Sequence, residues 1–112
     1  MTNINILGKL DMDDNGEFIV HIEDNQIINI TKILDDIFTS SLRPQVDIKI
    51  FKNGKLLFDE QGGLFLHMDD QKIESYFVCG VNLSKLLFYN TEENLEITIR
   101  NEGKSRYNGK KS

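Results

Sequence analysis

Alternating apolar and polar positions run through most of this chain and give way to a helical period twice. Residues 4–12 alternate loosely, Asp13-Asp14-Asn15-Gly16 interrupts them, and Glu17-Phe18-Ile19-Val20-His21-Ile22 resumes a strand pattern. That order predicts a β-hairpin, because Asn-Gly is favoured in tight primed turns, where both residues take positive φ and the turn follows the twist of its strands. Asp24-Asn25 supplies another turn signal, and residues 26–30 read equally as a short strand or a connector. From Thr31 the period changes: Ile33, Leu34, Ile37 and Phe38 make one stripe of an amphipathic helix of about three turns. Thr31 is the expected N-cap, its hydroxyl accepting a free amide of the first turn. Ser40-Ser41 and then Arg43-Pro44 end the helix, since proline disfavours a helical residue before it.

Alternation returns over residues 45–52, with Val46, Ile48 and Ile50 on one face and Asp47, Lys49 and Phe51 on the other. Asn53-Gly54 turns the chain into a return strand over 55–60. Gln61-Gly62-Gly63 reads as a flexible connection, after which residues 64–68 pair through 69–72 with 73–79. A second helical stripe, Leu83, Leu86 and Leu87, follows Asn82 as cap, and Leu95, Ile97 and Ile99 give a last alternating strand. The expectation is an α+β fold: antiparallel hairpins and a meander of about six to seven strands with two short helices. Residues 1–101 form its one domain and residues 102–112 a basic, flexible C-terminal tail.

The two halves echo each other. Leu10-Asp11-Met12-Asp13-Asp14 precedes Phe18 as Leu66-His67-Met68-Asp69-Asp70 precedes Tyr76, and Asn29-Ile30-Thr31-Lys32-Ile33-Leu34 parallels Asn82-Leu83-Ser84-Lys85-Leu86-Leu87. Val46-Asp47-Ile48-Lys49-Ile50 likewise parallels Leu95-Glu96-Ile97-Thr98-Ile99. Two pseudo-repeated hairpin-helix-strand units explain the echo; convergence of similar elements in a compositionally biased chain is the competing explanation, and the drifting offset between halves keeps both open.

Apolar residues occupy both faces of the middle strands: Leu56 and Phe58 oppose Leu57, Leu64 and Leu66 oppose Phe65, and Tyr76 and Val78 oppose Phe77 and Cys79. Two short helices cover one side of such a sheet, so the other calls for a curled sheet, a dimer mate or another protein. Phe88 and Tyr89 lie off the leucine stripe of the second helix. These observations nominate Phe88, Tyr89, Leu57 and Phe65 as partner-binding residues.

Charge narrows the partner. The chain carries a net −5 and repels phosphate backbones and anionic lipid, which disfavours direct nucleic-acid and membrane binding. Arg100, Lys104, Arg106, Lys110 and Lys111 face only Glu102 at the C-terminal end, so the body is more acidic than the total. The chain has no Ala and no Trp and is rich in Ile, Asn, Lys and Phe, a bias of an AT-rich genome that carries no functional weight. One cysteine, Cys79, and a start without a basic or apolar leader predict a cytoplasmic protein, and no apolar run approaches the ~20 residues of a membrane helix.

Candidate chemistry is sparse. Asp11-Met12-Asp13-Asp14-Asn15-Gly16 matches the front of a calcium loop, but Ile22 stands where the bidentate glutamate belongs and the flanks read as strands. His21, His67 and Cys79 lack zinc spacing, and a Cys79–His67 dyad needs the fold to bring them together. Asp35-Asp36, Asp59-Glu60, Asp69-Asp70 and Glu92-Glu93 read as solvated acids, and Asn53-Gly54-Lys55 and Gln61-Gly62-Gly63 as turns rather than phosphate cradles. No catalytic, cofactor or metal residue is assigned. The expected function is that of a non-catalytic, acidic protein-binding module, an inhibitor, immunity-type or regulatory factor, able to occupy a basic nucleic-acid-binding surface of its target. The rivals are a ligand-binding or enzymatic domain with a site near His67 and Cys79, favoured by a deep polar pocket there, a homodimer, and a structural subunit of a larger assembly.

Overall fold

The computed structural model describes residues 3–101. Along the chain it builds β1 (Asn3–Met12), β2 (Phe18–Ile22), a single 3-10 turn (Glu23–Asn25), β3 (Gln26–Asn29), α1 (Ile30–Thr39), β4 (Gln45–Lys52), β5 (Lys55–Met68), β6 (Glu74–Val78), β7 (Val81–Asn82), α2 (Leu83–Tyr89) and β8 (Asn94–Asn101). All eight strands join one antiparallel sheet in the order β3-β2-β1-β8-β4-β5-β6-β7. The α+β class is as expected, and the strand count is eight, because residues 26–29 become an edge strand and two residues after the Cys79-Gly80 turn pair as β7. The expected tail over 102–112 lies outside the described residues.

The largest departure from the sequence pattern is β5. Gln61-Gly62-Gly63 is not a connection but the middle of one 14-residue strand. Its first half pairs with β4, from Lys52↔Lys55 to Gln45↔Gly63, and its second half with β6, from Leu64↔Val78 to Met68↔Glu74. β1 changes partner in the same way, lying on β8 over Asn3–Lys9 and on β2 over Lys9–Met12. A strand shared by two neighbours bends, and glycine at the bend lets the next strand press close. A Cβ on Gly8 would run into the His21 carbonyl oxygen and sit 2.8 Å from Val20 Cγ1; one on Gly62 would sit 3.1 Å from Cys79 Cβ.

One face of the sheet is buried. Ile6, Leu10, Phe18, Val20, Val46, Ile48, Ile50, Phe58, Leu64, Val78, Leu95, Ile97 and Ile99 point to it, and the helices close over it with Ile30, Leu34, Ile37, Leu83 and Leu87. This single cluster accounts for the alternation in β4, β6 and β8, since period-2 burial puts one residue in two on the core. Tyr76 crosses from β6 to the other half of the chain: its buried hydroxyl donates to Asp35 Oδ1 on α1 at 3.1 Å.

Local signals resolve in instructive ways. The N-cap of α1 is Asn29, whose Oδ1 accepts from Lys32 N at 2.9 Å; the Thr31 hydroxyl, expected to cap, instead accepts from Phe18 N at 2.8 Å and ties the helix start to β2. Asn82 caps α2 as expected, accepting from Lys85 N at 2.9 Å, and Ser84 Oγ accepts from Tyr76 N at 2.9 Å. The first hairpin is a three-residue loop with only Gly16 at positive φ, stabilised by Asp13 Oδ1 accepting from Asn15 N and Glu17 N. The Asp69–Ile73 loop repeats it, with Asp69 Oδ1 accepting from Gln71 N and Ile73 N and Lys72 held at φ 64°. Asn53-Gly54 makes the expected two-residue turn, at φ 53° and 79°, and Cys79-Gly80 makes a second, at 52° and 83°.

Candidate functional site

Among the described residues no helix lies over the reverse face of the sheet. At its centre Asn5 donates to Glu96 and Thr98, and Arg100 lies 3.8 Å from Asp47, so polar side chains satisfy one another there. Toward the β1–β2 end His21 Nε2 meets Asp11 Oδ2 at 3.1 Å. The Met12 amide donating to Asp11 and then this contact with His21 hold the Asp11 carboxyl below the usual carboxylate range. Asp11 and Asp13 are thus engaged separately, one by His21 and one by its own loop amides, rather than converging as cation ligands. Among the described residues no group of three or more His, Cys, Asp or Glu side chains is placed to hold a metal ion.

At the β5–β6 end the reverse face becomes aromatic. Phe65 and Phe77 are cross-strand partners, and His67 stands opposite Ser75 one step along the same face. The His67 and Phe77 rings are perpendicular, with centroids 6.4 Å apart. Phe65 is 60% exposed. Phe65, His67, Phe77 and Gly80 line an open depression of about 450 Å³. Gly80 contributes no side chain to it, and its φ of 83° explains why glycine occupies that turn.

The four nominated contact residues do not form one surface. Phe65 is on the reverse face. Phe88 and Tyr89 are on α2, across the sheet, both exposed and paired edge-on with centroids 5.9 Å apart. Leu57 is half-buried against the core beside the β4–β5 turn. The C-terminus of α2 reaches that turn, since Lys52 Nζ donates to Asn90 Oδ1 at 3.5 Å, so Phe88 and Tyr89 share an end of the molecule with the exposed Leu56. Leu57 and Leu56 have exchanged their expected roles because the β4–β5 register shifts between Ile50 and Phe51, placing an extra residue in β5 and breaking the alternation.

His67 and Cys79 also separate. His67 is exposed, and Cys79, expected inside a strand, is an exposed free thiol in the left-handed position of the β6–β7 turn. Cys79 N donates to Gly63 O, four residues from His67 along β5, a separation of about 13 Å at ~3.3 Å per residue. Phe77 is the residue that sequence reasoning left out of the nominated set. The signal for it was available: a hairpin centred on Gln71 pairs position 65 with position 77 on one face.

No helix among the described residues is long and apolar enough to cross a membrane. No protein-family model matches the chain, and comparison with curated proteins and with solved structures found no match.

Proposed function

We propose that this protein is a non-catalytic, acidic module that binds another protein through the aromatic end of its reverse sheet face. The observation that carries the reading is the cross-strand pair Phe65 and Phe77 on the β5–β6 hairpin, Phe65 exposed and Phe77 half-buried beside it. Single exposed apolar residues are ordinary, but aromatics gathered on the unhelical side of a sheet resemble the anchors of an interface core. Charge describes the target. Beyond Asn101 the sequence has four cations and one acid, net +3, so residues 1–101 hold −8 of the overall −5. A field of that sign speeds encounter with a basic surface, including one that a nucleic acid would otherwise occupy, and suits an inhibitor or regulator. The rival site near His67 and Cys79 requires a deep polar pocket, and the depression beside His67 is open and walled by phenylalanine.

The test is affinity capture from cells of the source organism with the tagged full chain, comparing wild type, Phe65→Thr/Phe77→Thr and Phe88→Thr/Tyr89→Thr. The reading expects a stoichiometric partner that the first double variant loses and the second keeps. Loss only with the α2 variant moves the interface across the sheet. Recovery of the protein alone from all three overturns the reading, and a self-associated wild type would replace it with a homo-oligomer.

We also propose that the chain consists of two pseudo-repeated hairpin-helix-strand units, β1–β4 with α1 and β5–β8 with α2. Exchanging them turns the strand order into itself read backwards, and the exchange maps the Asp13 loop on the Asp69 loop, the Asn29 cap on the Asn82 cap, the Phe18–Thr31 bond on the Tyr76–Ser84 bond, and the Gly8 bend on the Gly62 bend. Chance convergence of short elements supports matching strands more readily than matching side-chain bonds. On this reading the aromatic patch is a specialisation of the second unit, because the cross-strand pair Asp11 and Ile19 stands in the first, counted from the Gly8 bend and the Phe18–Thr31 bond, where Phe65 and Phe77 stand in the second.

A further inference from the structure

Resting on the proposed interface, we infer that the depression between Phe65, His67, Phe77 and Gly80 receives a cationic side chain, arginine or lysine, from a basic segment of the partner. His67 and Phe77 pack edge to face, and with Phe65 they line an open notch to which Gly80 adds no side chain. The walls offer aromatic surface, to which guanidinium and ammonium groups are drawn by the ring quadrupole.

The charge nearby has the matching sign. Neither lysine nor arginine lines the depression. The β5–β6 loop that joins its two strands carries Asp69, Asp70 and Lys72, net −1. Asp70 is exposed and enters no ion pair among the described residues, whereas on the reverse face Asp47 lies 3.8 Å from Arg100 and Asp11 contacts His21. An anionic group would meet this excess with nothing in the notch to offset it. A purely aliphatic group would bury against the rings but leave the excess unanswered. A cation on an aliphatic stem satisfies both, stem on Phe65 and charge toward the loop acids.

The experiment is an NMR titration of the isotopically labelled full chain with three capped pentapeptides, Gly-X-Gly-X-Gly, in which X is arginine, citrulline or leucine. The expected result is saturable shifts at the amides of Phe65, His67, Phe77 and Gly80 with the arginine peptide, and binding at least about five-fold weaker with citrulline, which keeps the shape and loses the charge. Phe65→Thr should abolish the response and Phe65→Tyr retain it; the position is exposed, so neither change burdens the core. Equal response to leucine, shifts spread over the acidic surface instead of the notch, or no response overturns the inference. Its failure is distinguishable from that of the interface: a partner still lost on Phe65→Thr/Phe77→Thr, with no arginine preference, leaves the surface standing and removes only the cation.

Discussion

A methyl group at position 8 has nowhere to go. β1 leaves β8 for β2 at this point, and the returning backbone at Val20 and His21 fills the space that any side chain would need. Gly8→Ala should therefore lower the unfolding free energy by about 1–3 kcal/mol, the usual cost of forcing extra volume into a packed region, measurable by urea denaturation; an unchanged midpoint would mean that the bend is looser than described. Tyr76 makes a second residue-scale claim. Burial first, and then the Asp35 carboxylate that accepts its hydroxyl proton, raise the Tyr76 pKa above its ordinary 10. Folding thus favours the neutral phenol. The sign follows: its contribution is complete below the unfolded pKa of about 10 and is lost as pH rises from there toward the higher folded value. Tyr76→Phe should cost about 1 kcal/mol at neutral pH and make stability less steep above about pH 10. In an alkaline absorbance titration, part of the wild-type tyrosinate signal should appear only with unfolding, and Tyr76→Phe should lack that part.

Between residue and fold stand the caps and loops that the two halves share. Asn29→Ala and Asn82→Ala each remove an acceptor from a first-turn amide, and each should cost about 1 kcal/mol, with costs that add because the sites are far apart. In the Asp69–Ile73 loop, Lys72 takes the left-handed conformation that Gly16 takes in the Asp13 loop. Lys72→Gly should accordingly be neutral or stabilising by up to about 1 kcal/mol, while Gly16→Ala destabilises by a similar amount; thermal melts of the two variants moving in the same direction would contradict the equivalence of the loops. Much of this element scale was legible in the sequence. The helical stripes, the Asn82 cap, the Asn53-Gly54 turn and the alternation of β4 and β8 all follow from local pattern. What was not legible depended on neighbours distant in sequence. Gly62-Gly63 reads as a break because glycine pairs usually are one, and only β4 on one half and β6 on the other hold β5 in a single strand. Thr31 and Asn29 are both good caps in isolation, and the choice falls to Asn29 because Phe18 N claims the threonine hydroxyl. Leu57 turned inward because of a register shift that no periodicity records.

At the scale of the described residues the same asymmetry recurs: two helices on one side of the sheet, none on the other, and aromatic side chains at one end of that second side. The sequence pattern foretold apolar residues on both faces, and Phe65 among them, but not that Phe88 and Tyr89 would lie across the sheet from it. Choosing between these surfaces needed the fold. Photo-crosslinking in cells tests that choice most directly, with benzoylphenylalanine placed at position 65, at 88, or at 49, an exposed position in the polar middle of the reverse face. The expected result is one discrete heavier species from position 65 that contains a second, different protein, and none from position 49. An adduct only from position 88, only with a second copy of this chain, or from none of the three would contradict the proposed interface.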